Sequence, residues 1–193
     1  MIPLAFINYG GIQAIQTLWA GPWMLNITGY TPLQSATGLF WINITMLISF
    51  LIWGYVLPKI SEYGISTIKL IKLGLPISYF SLFLIIYFGN NAGAFLFTLY
   101  IMTSIVISLT QPAIALNFSK NLAGKSLTSY NVFLFSGTFF IQWGIGLVID
   151  LCNNKGFDIV SSYRISFSVF LILCVLSYIS VSYTHLRAHE TFH

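Results

Sequence analysis

The chain has 193 residues, 57% of them hydrophobic and 6% charged, with a formal net charge of +4. A soluble domain carries about 25% charged residues, so the composition argues against that class. The basic residues are too scattered for a nucleic-acid surface, and they suit the cytoplasmic face of a membrane instead.

Six apolar stretches follow in chain order: Ile2–Leu25, Leu33–Leu57, Ile68–Phe88, Ala92–Phe118, Leu127–Leu151 and Ile165–Ser180. Each runs for about 16 to 27 residues, and about 20 apolar residues in a helix cross the ~30 Å hydrocarbon core of a bilayer. Unpaired backbone groups are too costly in lipid, so each stretch is expected to be a transmembrane helix. The first carries Asn8, Gln13, Gln16 and Thr17, and the second Asn43. The fourth carries Thr103, Ser104, Gln111 and Asn117, and the fifth Asn131, Thr138 and Gln142. Beyond their basic edges the third and sixth hold only serines and tyrosines. An amide in lipid needs protein or water around it. Helices one, two, four and five are therefore expected to form a cavity, and helices three and six to face lipid.

With the N-terminus cytoplasmic, Lys59, Lys69, Lys72, Lys120 and Lys125 lie on the inside and Lys155 and Arg164 on the outside. That is the bias the positive-inside rule expects. The uncharged loop Gly89–Asn91 then falls outside, and six crossings return the C-terminus to the cytoplasm.

Helical spacing groups the polar residues further. Gln13, Gln16, Ala20 and Trp23 advance by three or four residues and are expected on one face of the first helix. Asn131, Phe135, Thr138 and Gln142 do the same on the fifth, and Ser104, Ile107 and Gln111 on the fourth. Gly10, Gly11, Gly144 and Gly146 suit close helix approach, and Pro112 is expected to bend the fourth helix. No disulfide is expected between Cys152 and Cys174, because Cys174 lies mid-helix. Glu62, Asp150 and Asp158 sit at loop or helix ends, and Ser136 has no base partner. With no phosphate-binding loop and no metal-ligand cluster, the chain is not expected to be an enzyme or to hold a cofactor or metal.

Residues 181–193 stand apart. Val181 to Thr191 read VSYTHLRAHET, which resembles one reading frame of a transposase adapter used in sequencing libraries. The native domain is accordingly expected over residues 1–180, with 181–193 a non-native tail. All three histidines, His185, His189 and His193, belong to that tail. Both ends of the chain read as cut from a longer frame.

The tract Gly11-Ile-Gln-Ala-Ile-Gln-Thr-Leu-Trp-Ala-Gly-Pro-Trp23 resembles the run that ends the seventh of twelve helices in bacterial transporters of the major facilitator superfamily. Gly54-Tyr-Val-Leu-Pro58-Lys59-Ile-Ser61 is similar to that family's G-x-x-x-D-R-x-G loop, with Lys59 for the arginine and Pro58 in place of the acid. The resemblance implies an all-α membrane protein: six transmembrane helices as two inverted three-helix repeats, the C-terminal half of the family fold. It implies transport of a small solute by alternating access. The expected partners are the lipid bilayer, a small-molecule substrate and a missing N-terminal six-helix half; the expected place is a bacterial inner membrane with both termini cytoplasmic. Family helices one, two, four and five line the substrate path. Gln13, Gln16, Trp19, Gln111, Asn131 and Gln142 are thus expected to face one cavity near the bilayer midplane. The alternative is a six-helix substrate-binding subunit of a multi-component uptake complex.

Overall fold

The computed structural model describes residues 2–190, with side chains described for residues 2–119 and 121–182. Among these residues every regular element is helical. The helices line up as six rods. The first rod is α1 (Ile2–Ala14), a π-helical turn (Ile15–Trp19) and α2 (Ala20–Asn26). The second is α3 (Pro32–Glu62), and the third is α4 (Thr67–Phe88) with a short 3-10 turn after it. The fourth is α5 (Ala94–Ser104), a 3-10 turn (Ile105–Leu109) and α6 (Thr110–Leu116). The fifth is α7 (Lys120–Asn154) and the sixth α8 (Ile159–Glu190).

Among the described residues, five helices are long and apolar enough to cross a membrane: Pro32–Glu62, Thr67–Asn91, Ala94–Leu116, Asn121–Asn154 and Ile159–Ser182. The remaining expected span, the first rod, is divided by its π-turn into α-helical pieces of 13 and 7 residues. Each broken rod carries a proline just after its break. Pro22 has no N–H for the carbonyl of Leu18, and its ring crowds that carbonyl. Pro112 stands in the same relation to Ser108. The chain departs from α geometry over the turn that holds each orphaned carbonyl, widening in the first rod and tightening in the fourth.

The rods begin where local chemistry lets them. Thr31 and Gln34 form a reciprocal capping box at the start of α3, with Pro32 in the first turn. The Ser66 hydroxyl accepts from the Lys69 N–H at the start of α4. The Asp158 carboxylate accepts from the Ser161 N–H at 3.1 Å at the start of α8. Gly64 and Gly156, at φ +75° and +85°, turn the chain between the second and third and the fifth and sixth rods.

The first and fourth rods sit at the centre. Trp23, fully buried, joins three rods: its ring lies 5.9 Å from Phe97 of α5, and 6.0 and 4.8 Å from Tyr163 and Phe167 of α8. Gly10 and Gly137 let α1 and α7 touch backbone to backbone, and Gly11 accepts the Phe170 ring of α8 on the opposite side. The α4 and α8 helices pack against each other and against the central rods. Asn8 of α1 donates to Ser177 of α8 at 3.2 Å, and Tyr178 donates to the Lys72 carbonyl of α4 at 2.9 Å.

The third and sixth rods are not simply lipid-facing. Phe83 is exposed, but Phe170 is 1% exposed. Only 11% of the α3 span is buried against 39% of the α4 span, so the second rod has the larger uncovered surface. Asn43 of that rod, expected to face an interior, is exposed in the described chain. Both cysteines are free and buried. The α8 helix passes through residue 180 without a break, and Val181, the first residue of the adapter-like string, is 6% exposed in the core. The histidines of that string lie outside the described side chains.

Candidate functional site: an amide belt and a tryptophan groove

The π-turn organises the polar residues of the first rod. A π-turn spends more residues per revolution than an α-turn, so the residues after it are rotated relative to those before it. Gln13 stays half-buried on the open side, whereas Ala20 and Trp23 turn fully into the core. The face expected to hold Gln13, Gln16, Ala20 and Trp23 together is therefore split. Thr17 and Leu18 take the exposed positions instead.

Around this turn a belt of hydrogen bonds links three rods. Gln16 Nε2 donates to Asn43 Oδ1 of α3 at 2.6 Å, and Asn43 Nδ2 donates to the Leu39 carbonyl at 2.7 Å. On the other flank Gln142 Nε2 of α7 donates to Thr17 Oγ1 at 2.9 Å, and the Thr17 hydroxyl donates to the Gln13 carbonyl at 2.6 Å. Trp19 Nε1 donates to the Gln142 carbonyl at 3.2 Å. Gln13 Nε2 reaches the Tyr9 hydroxyl at 3.4 Å. Gln16 is 9% exposed, and its Oε1 is buried with no hydrogen-bond partner. An unpaired buried acceptor costs more than a paired one returns, so this atom is the belt's open valence.

Four of the expected site residues, Gln13, Gln16, Trp19 and Gln142, thus gather at the π-turn. The other two do not join them. Gln111 lines a separate cavity of about 620 Å³ between α3 and α6, with Trp53, Gly54, Pro58 and Pro112. Gly54 is eleven residues beyond Asn43 on α3, about 16 Å at 1.5 Å per residue. Asn131 precedes Gln142 by the same interval on α7 and is half-buried. Helical periodicity reports the side of a rod on which a residue lies. Its height relative to other rods comes from how the rods pack.

A groove of about 390 Å³ adjoins the belt, lined by Trp19, Gln142, Trp143, Gly146, Leu147, Asp150, Leu151 and Asn154. Gly146 provides its floor: a Cβ there would stand 3.2 Å from Cζ2 of the Trp19 indole. Trp143, Asp150 and Asn154 were missed as site residues. The spacing of Gln142, Gly146, Asp150 and Asn154, four residues each time, is the signal that could have found Asp150 and Asn154. Asp150, expected at a loop or helix end, lies one turn before the end of α7 at Asn154. Among the described residues no three His, Cys, Asp or Glu side chains group as metal ligands.

Fold and site together define an all-α protein whose long apolar helices are built to cross a membrane, with a polar belt across three of its rods. Comparison with protein-family models, with curated proteins and with solved structures yields no match.

Proposed function

We propose that the chain is the C-terminal six-helix half of a secondary transporter of the major facilitator type, moving a small solute by alternating access. The observation that carries this is the belt: amides of the first, second and fifth rods meet around the π-turn, with an unpaired acceptor at Gln16. The tract that resembles the family, Gly11 to Trp23, contains the π-turn on which the belt is built. Proline breaks in the first and fourth rods add support, since each is the opening rod of a three-helix repeat in this reading. The uncovered faces of α3 and α7 suit the missing N-terminal half, with the bilayer around the rest. The protein then belongs to a bacterial inner membrane with both termini cytoplasmic.

The test is uptake into vesicles by the chain joined to its upstream reading frame. Gln16→Ala and Gln142→Ala are expected to raise the apparent transport constant about threefold to tenfold at normal expression, the loss of one hydrogen bond to solute. Normal transport by both variants, or failure of both to fold, would make the belt structural. The alternative, a substrate-binding subunit of an uptake complex, would use the same groove for capture; solute capture without uptake by the joined protein would select it.

A further inference from the structure

The groove beside the belt has a chemistry that names its occupant. Its lining holds two indoles, two amides, two leucines, a glycine and a carboxylate, and no lysine or arginine. Trp143 is 58% exposed and Trp19 half-buried. The Trp19 indole N–H is committed to the Gln142 carbonyl, and the far edge of its ring lies over Gly146. Asp150 follows Gly146 by one helical turn, about 6 Å along α7. A group lying in the groove beside this contact therefore has the indoles of Trp19 and Trp143 in its lining and a carboxylate one turn along α7. Indole faces attract cations, and the carboxylate supplies the matching charge. The volume lies at the low end of the range of about 300–1,000 Å³ typical of small-molecule sites.

We infer that the groove formed by Trp19, Trp143, Gly146 and Asp150 binds an organic cation, an ammonium carried on a small apolar body. The inference rests on the transport reading and narrows its small solute to a cationic one. The ammonium sits in the groove between the indoles and Asp150, the apolar body lies along Leu147 and Leu151, and Gln142 and Asn154 orient polar substituents.

The test uses the purified full chain in nanodiscs of net-neutral phosphatidylcholine at low ionic strength, with tryptophan fluorescence as readout. The probes are phenyltrimethylammonium and its uncharged isostere tert-butylbenzene. Saturable binding of the cation is expected, with the isostere weaker. Asp150→Asn and Trp143→Leu should each weaken the cation about threefold to fivefold, and Asp150→Asn should abolish the preference for charge. Asp150 is exposed, and helicity by circular dichroism checks that both variants remain folded. Equal affinity for the two probes, or a cation affinity unchanged in Asp150→Asn, overturns the inference. If the isostere binds equally well and Gln142→Ala weakens it, the groove takes a neutral solute: the cation inference fails and the transport reading stands. Saturable binding of neither probe by a folded chain removes the groove as a site altogether.

Discussion

Gly10 of α1 and Gly137 of α7 cross with no side chain between them. A Cβ on Gly137 would lie 2.3 Å from the Phe6 carbonyl oxygen, and one on Gly10 would lie 2.5 Å from the Gly137 carbonyl carbon. This contact sets the height at which the first and fifth rods meet. It therefore sets which residues of the two rods face each other farther along, at Thr17 and Gln142.

Gly137→Ala is accordingly expected to destabilise the fold by about 1–3 kcal/mol, because the clash is with backbone that cannot rotate away. Gly144→Ala on the same helix meets nothing within 4 Å and should be neutral or stabilising by up to about 1 kcal/mol. Unfolding of both variants in mixed micelles makes the comparison. Equal stability of the two would mean that the rods do not cross at Gly137.

The Gln16–Asn43 bond is open to a double-mutant cycle with Gln16→Leu and Asn43→Leu. Hydrogen bonds between membrane helices couple by about 0.6 kcal/mol on average, with values up to about 1.7. A coupling in that range is expected. Strictly additive effects would show that the bond does not hold the first and second rods together.

Asp158 gives α8 a pH-sensitive first turn. Hydrogen bonds from Ser161, first through its side chain and then its backbone N–H, hold the Asp158 carboxyl below the usual carboxylate range. A carboxyl with a depressed folded pKa stabilises the fold above its unfolded pKa of about 3.9, and that contribution is lost as pH falls through the folded value. Amide exchange at Ser161, corrected for its intrinsic rate, should lose protection on acidification below about pH 4. Asp158→Asn should flatten that dependence. A flat profile in the unchanged protein would contradict the cap.

The side of the membrane reached by the turn after α4 follows from the basic residues. With Cys152 and Cys174 replaced by serine, Asn90→Cys should react with an impermeant maleimide added outside intact cells. Asn90 is exposed at the end of the third rod, in a turn without charge. Labelling only after the cytoplasmic face is opened would reverse the orientation.

Hydrophobic length by itself determined the all-helical class and the presence of several helices long and apolar enough to cross a membrane. These are local properties: an apolar run of membrane length leaves the backbone no partner but itself. Pro22 and Pro112 also act locally, each through a carbonyl four residues back. The path of α7 past Asp150 and of α8 past Ser180 was less legible, because helices continue beyond the stretch that composition marks as apolar. Only the tertiary structure decided the site. The π-turn rotated Ala20 and Trp23 away from Gln13, and the Gly10–Gly137 crossing brought Gln142 to Thr17 and Trp19. Asn131 lies about 16 Å from Gln142 along α7, and Gln111 lines a cavity beside Gly54, about 16 Å from Asn43 along α3. Asp150 and Trp143 entered the groove because Trp19 reaches across to the bare backbone of Gly146. Periodicity places a residue around one helix axis. Its height against neighbouring helices is set by contacts between residues more than a hundred positions apart, which no local pattern encodes.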